Sequence, residues 1–256
     1  MILMIKKYKV GLVIQARVSS KRFPGKVMKN ILGKPMIYRI YERVKLCKKI
    51  DTIVVSIPKN KSDDMLFQFL KRSKINVFRG SELNLISRFY NTAKKYNFDY
   101  IVRLPADNPL PDYKQIDKLI KFHMKLKKNM NVFSTNLQPV KNSNYIDGIG
   151  AEIFSFKMLE KLVQNKNIRK SREHISQNFY NFEKKKVMNK KYFRVFYPIA
   201  PKSISYPNIV LDVNYKKQFN LIKKIYKNIY PKNKFFLTNH IIKFLKKHEK
   251  NLFKNK

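Results

Sequence analysis

Residues 8–26 read YKVGLVIQARVSSKRFPGK, and this stretch decides the fold. The apolar run from Val10 to Ile14 has the length and β-branched content of a buried strand. It breaks into a polar loop carrying Arg17, Arg22 and Lys26, and Pro24-Gly25 bends that loop just before the lysine. A buried strand that delivers three cations and free backbone N–H groups to one rim is suited to holding phosphate. The loop is not a Walker A sequence, because Val27 follows Gly25-Lys26 and Ser20 stands where the first glycine belongs. Nor is it a dinucleotide fingerprint, since G-x-G-x-x-G is absent. An exposed basic turn would carry the same charge. The position after a buried strand and the Pro-Gly shaping favour phosphate.

Outward from this stretch, apolar runs alternate with helical periodicity. Met36, Ile37, Ile40 and Val44 follow helical spacing after Pro35. Ile53–Ile57 predicts a second strand, and residues 62–73 a helix with Ser62 as its N-cap. Ile75–Phe78 predicts a short strand. Ile86, Phe89, Tyr90 and Ala93 mark a helix face, with Ser81 as a natural cap before it. Tyr100–Leu104 predicts a strand ending at Pro105, residues 112–127 a helix, and Val132–Ser134 one more strand. This alternation implies an α/β fold with a mostly parallel sheet and helices on both faces, where ligands bind at the carboxyl ends of the strands. Beyond residue 136 the pattern changes. Residues 138–152 read as loop, 156–165 as helix and 172–182 as a weaker helix. The runs 192–198 and 208–213 read as strands. Two basic amphipathic helices follow, lined by Phe219, Ile222, Tyr226 and Ile229, then by Ile241, Phe244 and Leu245. One domain over 1–250, with an arm within 136–200 and a frayed tail at 251–256, is the expected organisation.

The chain has 256 residues, enough for a sizeable core, and 44% hydrophobic residues. No apolar run reaches the ~18 residues of a membrane helix. MILMIKKYKV lacks a long apolar segment and a cleavage site, so no signal peptide is read and a cytoplasmic location is expected. The single Cys47 forbids an intrachain disulfide and reads as core filler on an apolar helical face. Lys and Arg number 57 against 16 Asp and Glu, a formal net charge of +41. Such charge normally suggests a nucleic-acid or anionic-surface partner. Here the cations are mostly lysines scattered among abundant Asn, Ile, Phe and Tyr, the composition an AT-rich genome produces. A nucleic-acid-binding role is therefore disfavoured, although the field would still concentrate a nucleotide.

Two further elements carry chemistry. In Arg103-Leu104-Pro105-Ala106-Asp107-Asn108-Pro109, one carboxylate sits in a proline-bracketed turn at a strand end. Facing a cationic loop, Asp107 can hold a divalent metal against a triphosphate. An Asx turn capping its own backbone is the alternative. In Val210-Leu211-Asp212-Val213-Asn214, strand alternation would put Asp212 and Asn214 on one face, where they could complete a metal site with Asp107. A strand-terminal Asp and a helix-capping Asn are the alternative. Lesser candidates are Arg79-Gly80-Ser81, Arg88, Asp147-Gly148 with Glu152, and Arg172-Glu173-His174. Arg103, Asp147, Glu152 and His174 are expected on the second-substrate side.

These segments together resemble the sugar-nucleotide cytidylyltransferases, in the SpsF-like branch related to the acylneuraminate and 3-deoxy-manno-octulosonate enzymes. The resemblance is carried by IQARVSSKRFPGKV at 14–27, ILGKPMIYRIYERV at 31–44, FRGSELNLISRFYNTA at 78–93 and YIVRLPADNPLPD at 100–112. SREH at 171–174 and the Asp212 segment match more weakly. The resemblance implies a Rossmann-like nucleotidyltransferase fold with an arm that often makes a homodimer. The implied reaction joins CTP to an acidic sugar with Mg²⁺, releasing pyrophosphate, for surface polysaccharide synthesis. Members of the branch are also called glycosyltransferases, and a uridylyl- or guanylyltransferase would share the fold. On this resemblance Gln15 and Ala16 lie beside base and ribose. Arg17, Ser19, Arg22 and Lys26 embrace the triphosphate, and Arg79, Gly80 and Ser81 border the nucleotide pocket. Arg17, Lys26 and Asp107 are catalytic, and Asp107 with Asp212 holds the metal. One departure is visible: the related synthetases carry Asp-x-Asp late in the chain, and here the second position is Asn214.

Overall fold

Val10–Gln15 forms the first strand, β1. Period-two alternation divides its side chains, so that Leu12 and Ile14 enter one core and Val13 the other. A computed structural model describes residues 8–126, 129–137, 140, 142–166, 168 and 171–253. Thr52–Pro58 (β2), Val77–Gly80 (β3) and Tyr100–Pro105 (β4) run parallel to β1. Val132–Thr135 (β5), Glu152–Ser155 (β6) and Arg194–Phe196 (β7) complete a seven-stranded sheet in the order β7-β5-β6-β4-β1-β2-β3. Only β6 is antiparallel to its neighbours. The sheet is thus mixed and mostly parallel, as expected of the α/β nucleotidyltransferase class.

Helices Met36–Val44 (α1), Asp64–Arg72 (α2), Leu85–Tyr96 (α3), Tyr113–Lys125 (α4) and Phe156–Gln164 (α5) cover both faces. Helices α1, α2 and α4 bury one side with Lys216–Ile229 (α6) and Thr238–His248 (α7), and α3 and α5 bury the other. In α1 the expected residues Met36, Ile37, Ile40 and Val44 are fully buried. The Asp112 carboxylate caps α4 through the N–H groups of Lys114 and Gln115. Its other oxygen accepts from Thr238 N and Oγ1 at 2.9 and 2.7 Å, joining α4 to α7.

Several expectations are corrected. Residues 172–182 hold a short 3₁₀ turn, Ser176–Asn178, and the start of a two-residue hairpin strand, Tyr180–Asn181, because Asn178 draws the local backbone to itself. Residues 208–213 make one bridge, Asp147 to Val210, and no strand, so Asp212 and Asn214 are placed by a loop. Ser62 lies inside a 3₁₀ turn before α2 and caps nothing, and Asn84 rather than Ser81 caps α3. The run Glu152–Ser155, absent from the sequence expectation, is a buried strand of the main sheet. Cys47 follows α1 in a turn, half-buried, with its Sγ 3.8 Å from the Tyr113 carbonyl, and burial pushes its thiol pKa up. Lys250–Phe253 is a 3₁₀ turn. The rest of the expected frayed tail, 254–256, and parts of the 138–152 loop and of the amino-terminal run lie outside the described residues. Among the described residues no helix is long and apolar enough to cross a membrane.

Candidate active site

Register brings the ends of three strands together. Gln15 at the end of β1 lies opposite Ser56 of β2 and Pro105 of β4, so the loops after β1 and β4 emerge side by side. The first is anchored at its root: Ala16 N donates to Ser56 O at 3.1 Å, and Val18 N to the buried Asp63 carboxylate at 2.8 Å. Gly25 N returns to Val18 O at 3.1 Å and closes the loop. Gly25 has φ +66°, a conformation costly for any residue with a Cβ, and it turns the chain into the Lys26–Met28 3₁₀ turn. Phe23 is buried against Phe219 of α6, ring centroids 5.6 Å apart, while Arg22 is exposed, 5.7 Å from the Tyr215 ring.

Lys26 therefore points inward. It is 8% exposed, and its Nζ donates to Val213 O at 2.6 Å and to Asp107 Oδ2 at 3.3 Å. The turn that presents Asp107 is closed by Asn108 N on Pro105 O, and Val213 N donates to Asp107 O. The Asp107 carboxylate thus meets a lysine from the other loop and does not cap its own backbone. Asp212 sits nearby, its carboxylate accepting from Asn214 Nδ2 and, at 3.3 Å, from Gln218 Nε2. Burial first, and Asp107 second, push the Asp212 pKa up against the opposing pull of Lys26. Asp147 is pushed up to about 7 by burial, then by Asp212 and Asp107. Burial and repulsion from neighbouring carboxylates thus act in the same direction on Asp147 and Asp212. Asn214 Oδ1 is buried with no hydrogen-bond partner among the described residues.

The two loops border a cleft of about 630 Å³. Gln15, Ala16, Arg17, Arg22, Lys26 and Asp107 line it, as do Arg103 and His174. Glu173 and His174 reach it because the Arg172 carbonyl accepts from Leu85 N at 2.8 Å, docking the 171–178 turn on α3. The cleft also contains Lys21, Glu82, Leu83 and Arg88. Arg88 is 3% exposed, and burial, then the nearby Arg17, lowers its pKa to about 10. Gly80 makes room for it: a Cβ there would lie 2.8 Å from Arg88 Cγ.

Other candidates lie elsewhere. Arg79, Gly80 and Ser81 do not line the cleft; Arg79 is spent on Asp64 at 2.6 Å and on the carbonyls of Pro58 and Asn60, bracing the loop after β2. Ser19 donates to Glu82 at 3.3 Å and is not part of the lining. Glu152, Asp147 and Asp212 are also outside it, and Glu152 pairs with Arg103 at 2.6 Å. Asp63, which holds the cationic loop, gave no local signal because its partner lies 45 residues earlier. A second cavity of about 530 Å³, beside Tyr206, Lys246 and Phe253, contains no acidic side chain.

The Cytidylyltransferase family model matches residues 12–252. The chain is 26% identical over 219 residues to the spore coat polysaccharide biosynthesis protein SpsF of Bacillus subtilis, covering 84% of this chain and 85% of that protein. It is 32% identical over 108 residues to a 3-deoxy-manno-octulosonate cytidylyltransferase of Syntrophotalea carbinolica, 42% of each chain. A solved cytidylyltransferase from Leptospira borgpetersenii superposes with a TM-score of 0.81 at 28% identity, over 97% of this chain and 98% of that one. With a mostly parallel sheet whose β1 and β4 loops join across one cleft, and a family match from the first strand to the last turn, the chain belongs to the cytidylyltransferase family.

Proposed function

We propose that the cleft transfers the cytidylyl group of CTP to a hydroxyl of an acidic sugar and releases pyrophosphate, supplying an activated sugar for surface polysaccharide synthesis. The observation that carries this reading is the meeting of Lys26 and Asp107 across the cleft at 3.3 Å, 81 residues apart in sequence. In the reaction the sugar hydroxyl gives up its proton to solvent as its oxygen bonds to the α-phosphorus, the bond from that phosphorus to the bridging oxygen breaks, and the electron pair of that bond leaves with pyrophosphate. Negative charge grows on the leaving group and the non-bridging oxygens. Arg17 and Lys26 line the cleft as cations for that charge. Arg22 lies at its exposed edge, where it can meet the distal phosphates. The carboxylate of an acidic sugar suits the other basic groups of the cleft, and the similarity to a 3-deoxy-manno-octulosonate cytidylyltransferase supports that acceptor class.

The residues fit Mg²⁺. Asp107 and Asp212 are hard oxygen donors, Asn214 offers a buried carboxamide oxygen without a hydrogen-bond partner among the described residues, and repulsion between carboxylates helps to raise the pKa values of Asp147 and Asp212. Among the described residues no three His, Cys, Asp or Glu side chains form a complete metal cage. Mg²⁺ commonly takes only one or two carboxylates and draws its other ligands from substrate phosphates and water. When bound, Mg²⁺ would supply Lewis-acid charge neutralisation at the triphosphate. The SpsF relative's name supports the polysaccharide setting. The test is pyrophosphate release from each of four nucleoside triphosphates across a panel of acidic and neutral sugars, with and without Mg²⁺. Release restricted to CTP, an acidic sugar and Mg²⁺ is expected, and preference for another nucleotide or for neutral sugars would overturn the reading.

A further inference from the structure

The cavity beside Tyr206 lies apart from the cleft, and the two share no lining residue. Its volume of about 530 Å³ is within the range of small-molecule sites. One wall is the turn 205–209, which Ile209 N closes by donating to Tyr206 O at 3.1 Å. Helix α7 and the 3₁₀ turn after it form the other wall, through Lys246, Lys250, Leu252 and Phe253.

Charge at this cavity has one sign. Glu249 is the one acidic residue after Asp212 in the chain, and it is paired with Lys224 at 2.6 Å. No carboxylate pairs with Lys246 or Lys250 among the described residues. An anion entering the cavity therefore meets two cations and no opposing acid. The rings define the rest of the ligand. Tyr206 and Phe253 meet edge to face, centroids 5.3 Å apart. Lys246 Nζ lies 5.1 Å from the Tyr206 centroid and 5.9 Å from that of Phe253. Perpendicular rings leave no parallel slot for a nucleobase, and the ammonium already sits over both. The body of the ligand is left with the aliphatic surface of Pro207, Ile209 and Leu252.

We propose that this cavity is a second ligand site, for an anionic amphiphile: a phosphate monoester carried on an aliphatic chain. A phosphate monoester bears a charge of about −1.5 to −2 at pH 7, which matches two lysines better than a single carboxylate does. Its headgroup meets Lys246 and Lys250, and its chain covers Pro207, Ile209 and Leu252. Ser205 and Asn208 add neutral hydrogen-bonding groups to the same lining. The site is separate from the reaction in the cleft. Its ligand can be a free amphiphile or a lipid of an anionic bilayer.

Calorimetric titration with octyl phosphate, inorganic phosphate and octanol tests this. The wild-type protein is expected to bind one octyl phosphate at least tenfold more tightly than either of the other two. The double variant Lys246→Gln with Lys250→Gln, both exposed positions, should weaken that binding at least tenfold, and Leu252→Ser at least threefold. Lys94→Gln with Lys95→Gln removes the same charge from exposed positions on α3, across the sheet, and should leave binding unchanged. Lys26→Ala should also leave it unchanged, since the ligand does not enter the cleft. Three results overturn the inference: no preference for octyl phosphate over inorganic phosphate, equal losses in the two lysine pairs, or a loss in Lys26→Ala. Flotation with phosphatidylcholine vesicles containing phosphatidic acid separates the two sources. Flotation lost in the Lys246 and Lys250 variant assigns a bilayer lipid, and otherwise the ligand is the free amphiphile.

Discussion

In the proposed reaction Lys26 is the residue on which the chemistry turns. One well-placed electrostatic contact to a developing charge is commonly worth ~3 kcal/mol, about a hundredfold in rate. Lys26→Ala should therefore lower turnover about a hundredfold or more, measured by pyrophosphate release, while circular dichroism shows the fold retained. Wild-type turnover in that variant would remove Lys26 from the mechanism. Asp147 gives a second expectation at this scale. Its folded pKa of about 7 lies above its ordinary 3.8, so between those values the folded chain binds more protons than the unfolded one. Stability then falls as pH rises from about 4 to about 7. Asp147→Asn should flatten that slope and raise the melting temperature at pH 8 relative to wild type, and an unchanged slope would show the charge is compensated. The meeting of Lys26 and Asp107 was legible in the sequence because each follows an apolar run that becomes a neighbouring parallel strand. The Arg103–Glu152 pair was not, because Glu152 reaches Arg103 only through β6, a four-residue strand hidden beside Gly150.

At the scale of elements, α4 contains an acid-sensitive group. His123 is fully buried, its Nδ1 lies 3.0 Å from Ser134 Oγ on β5, and its Nε2 has no partner among the described residues. Burial lowers its pKa from 6.5 to about 4, so the unfolded chain binds the proton more readily in that interval. The stability contributed by the neutral ring is complete above pH 6.5 and is lost as pH falls towards 4. His123→Leu should weaken the acid-induced loss of stability in that window, as read by denaturant unfolding at pH 7, 5.5 and 4.5. The loop before Lys26 offers a backbone test. Nothing lies within 4 Å of a Cβ built on Gly25, so Gly25→Ala should cost about 1–2 kcal/mol through its φ of +66° alone, measured by urea unfolding. Helices α1, α3, α4, α6 and α7 were legible because their buried stripes repeat at helical spacing. Residues 172–182 misled because Ile175 and Phe179 stand four apart, yet their side chains are buried from a turn tied by Asn178. Residues 208–213 misled because Ile209, Leu211 and Val213 alternate inward as a strand's would, from a segment that forms one bridge.

For the whole molecule, the charge of +41 favours the same anionic nucleotide that the proposed reaction requires. Attraction of an anionic nucleotide to so basic a surface is screened by salt, so kcat/KM for CTP should fall several-fold between low and high ionic strength, with kcat less affected. Scattered lysines should also leave duplex nucleic acid weakly and non-specifically held, with binding lost at moderate salt. The architecture as a whole was legible from alternation of apolar runs and helix faces. The late insertion of β6 between β4 and β5 was not, since nothing local tells a short buried run which edge it joins. The most direct measurement is pyrophosphate release from CTP and a sugar acid, compared between the wild-type protein, Lys26→Ala and Asp107→Asn in Mg²⁺. Robust release by the wild type and a loss of about a hundredfold or more in each variant is expected. Release that survives both substitutions would contradict a shared triphosphate site between the two loops.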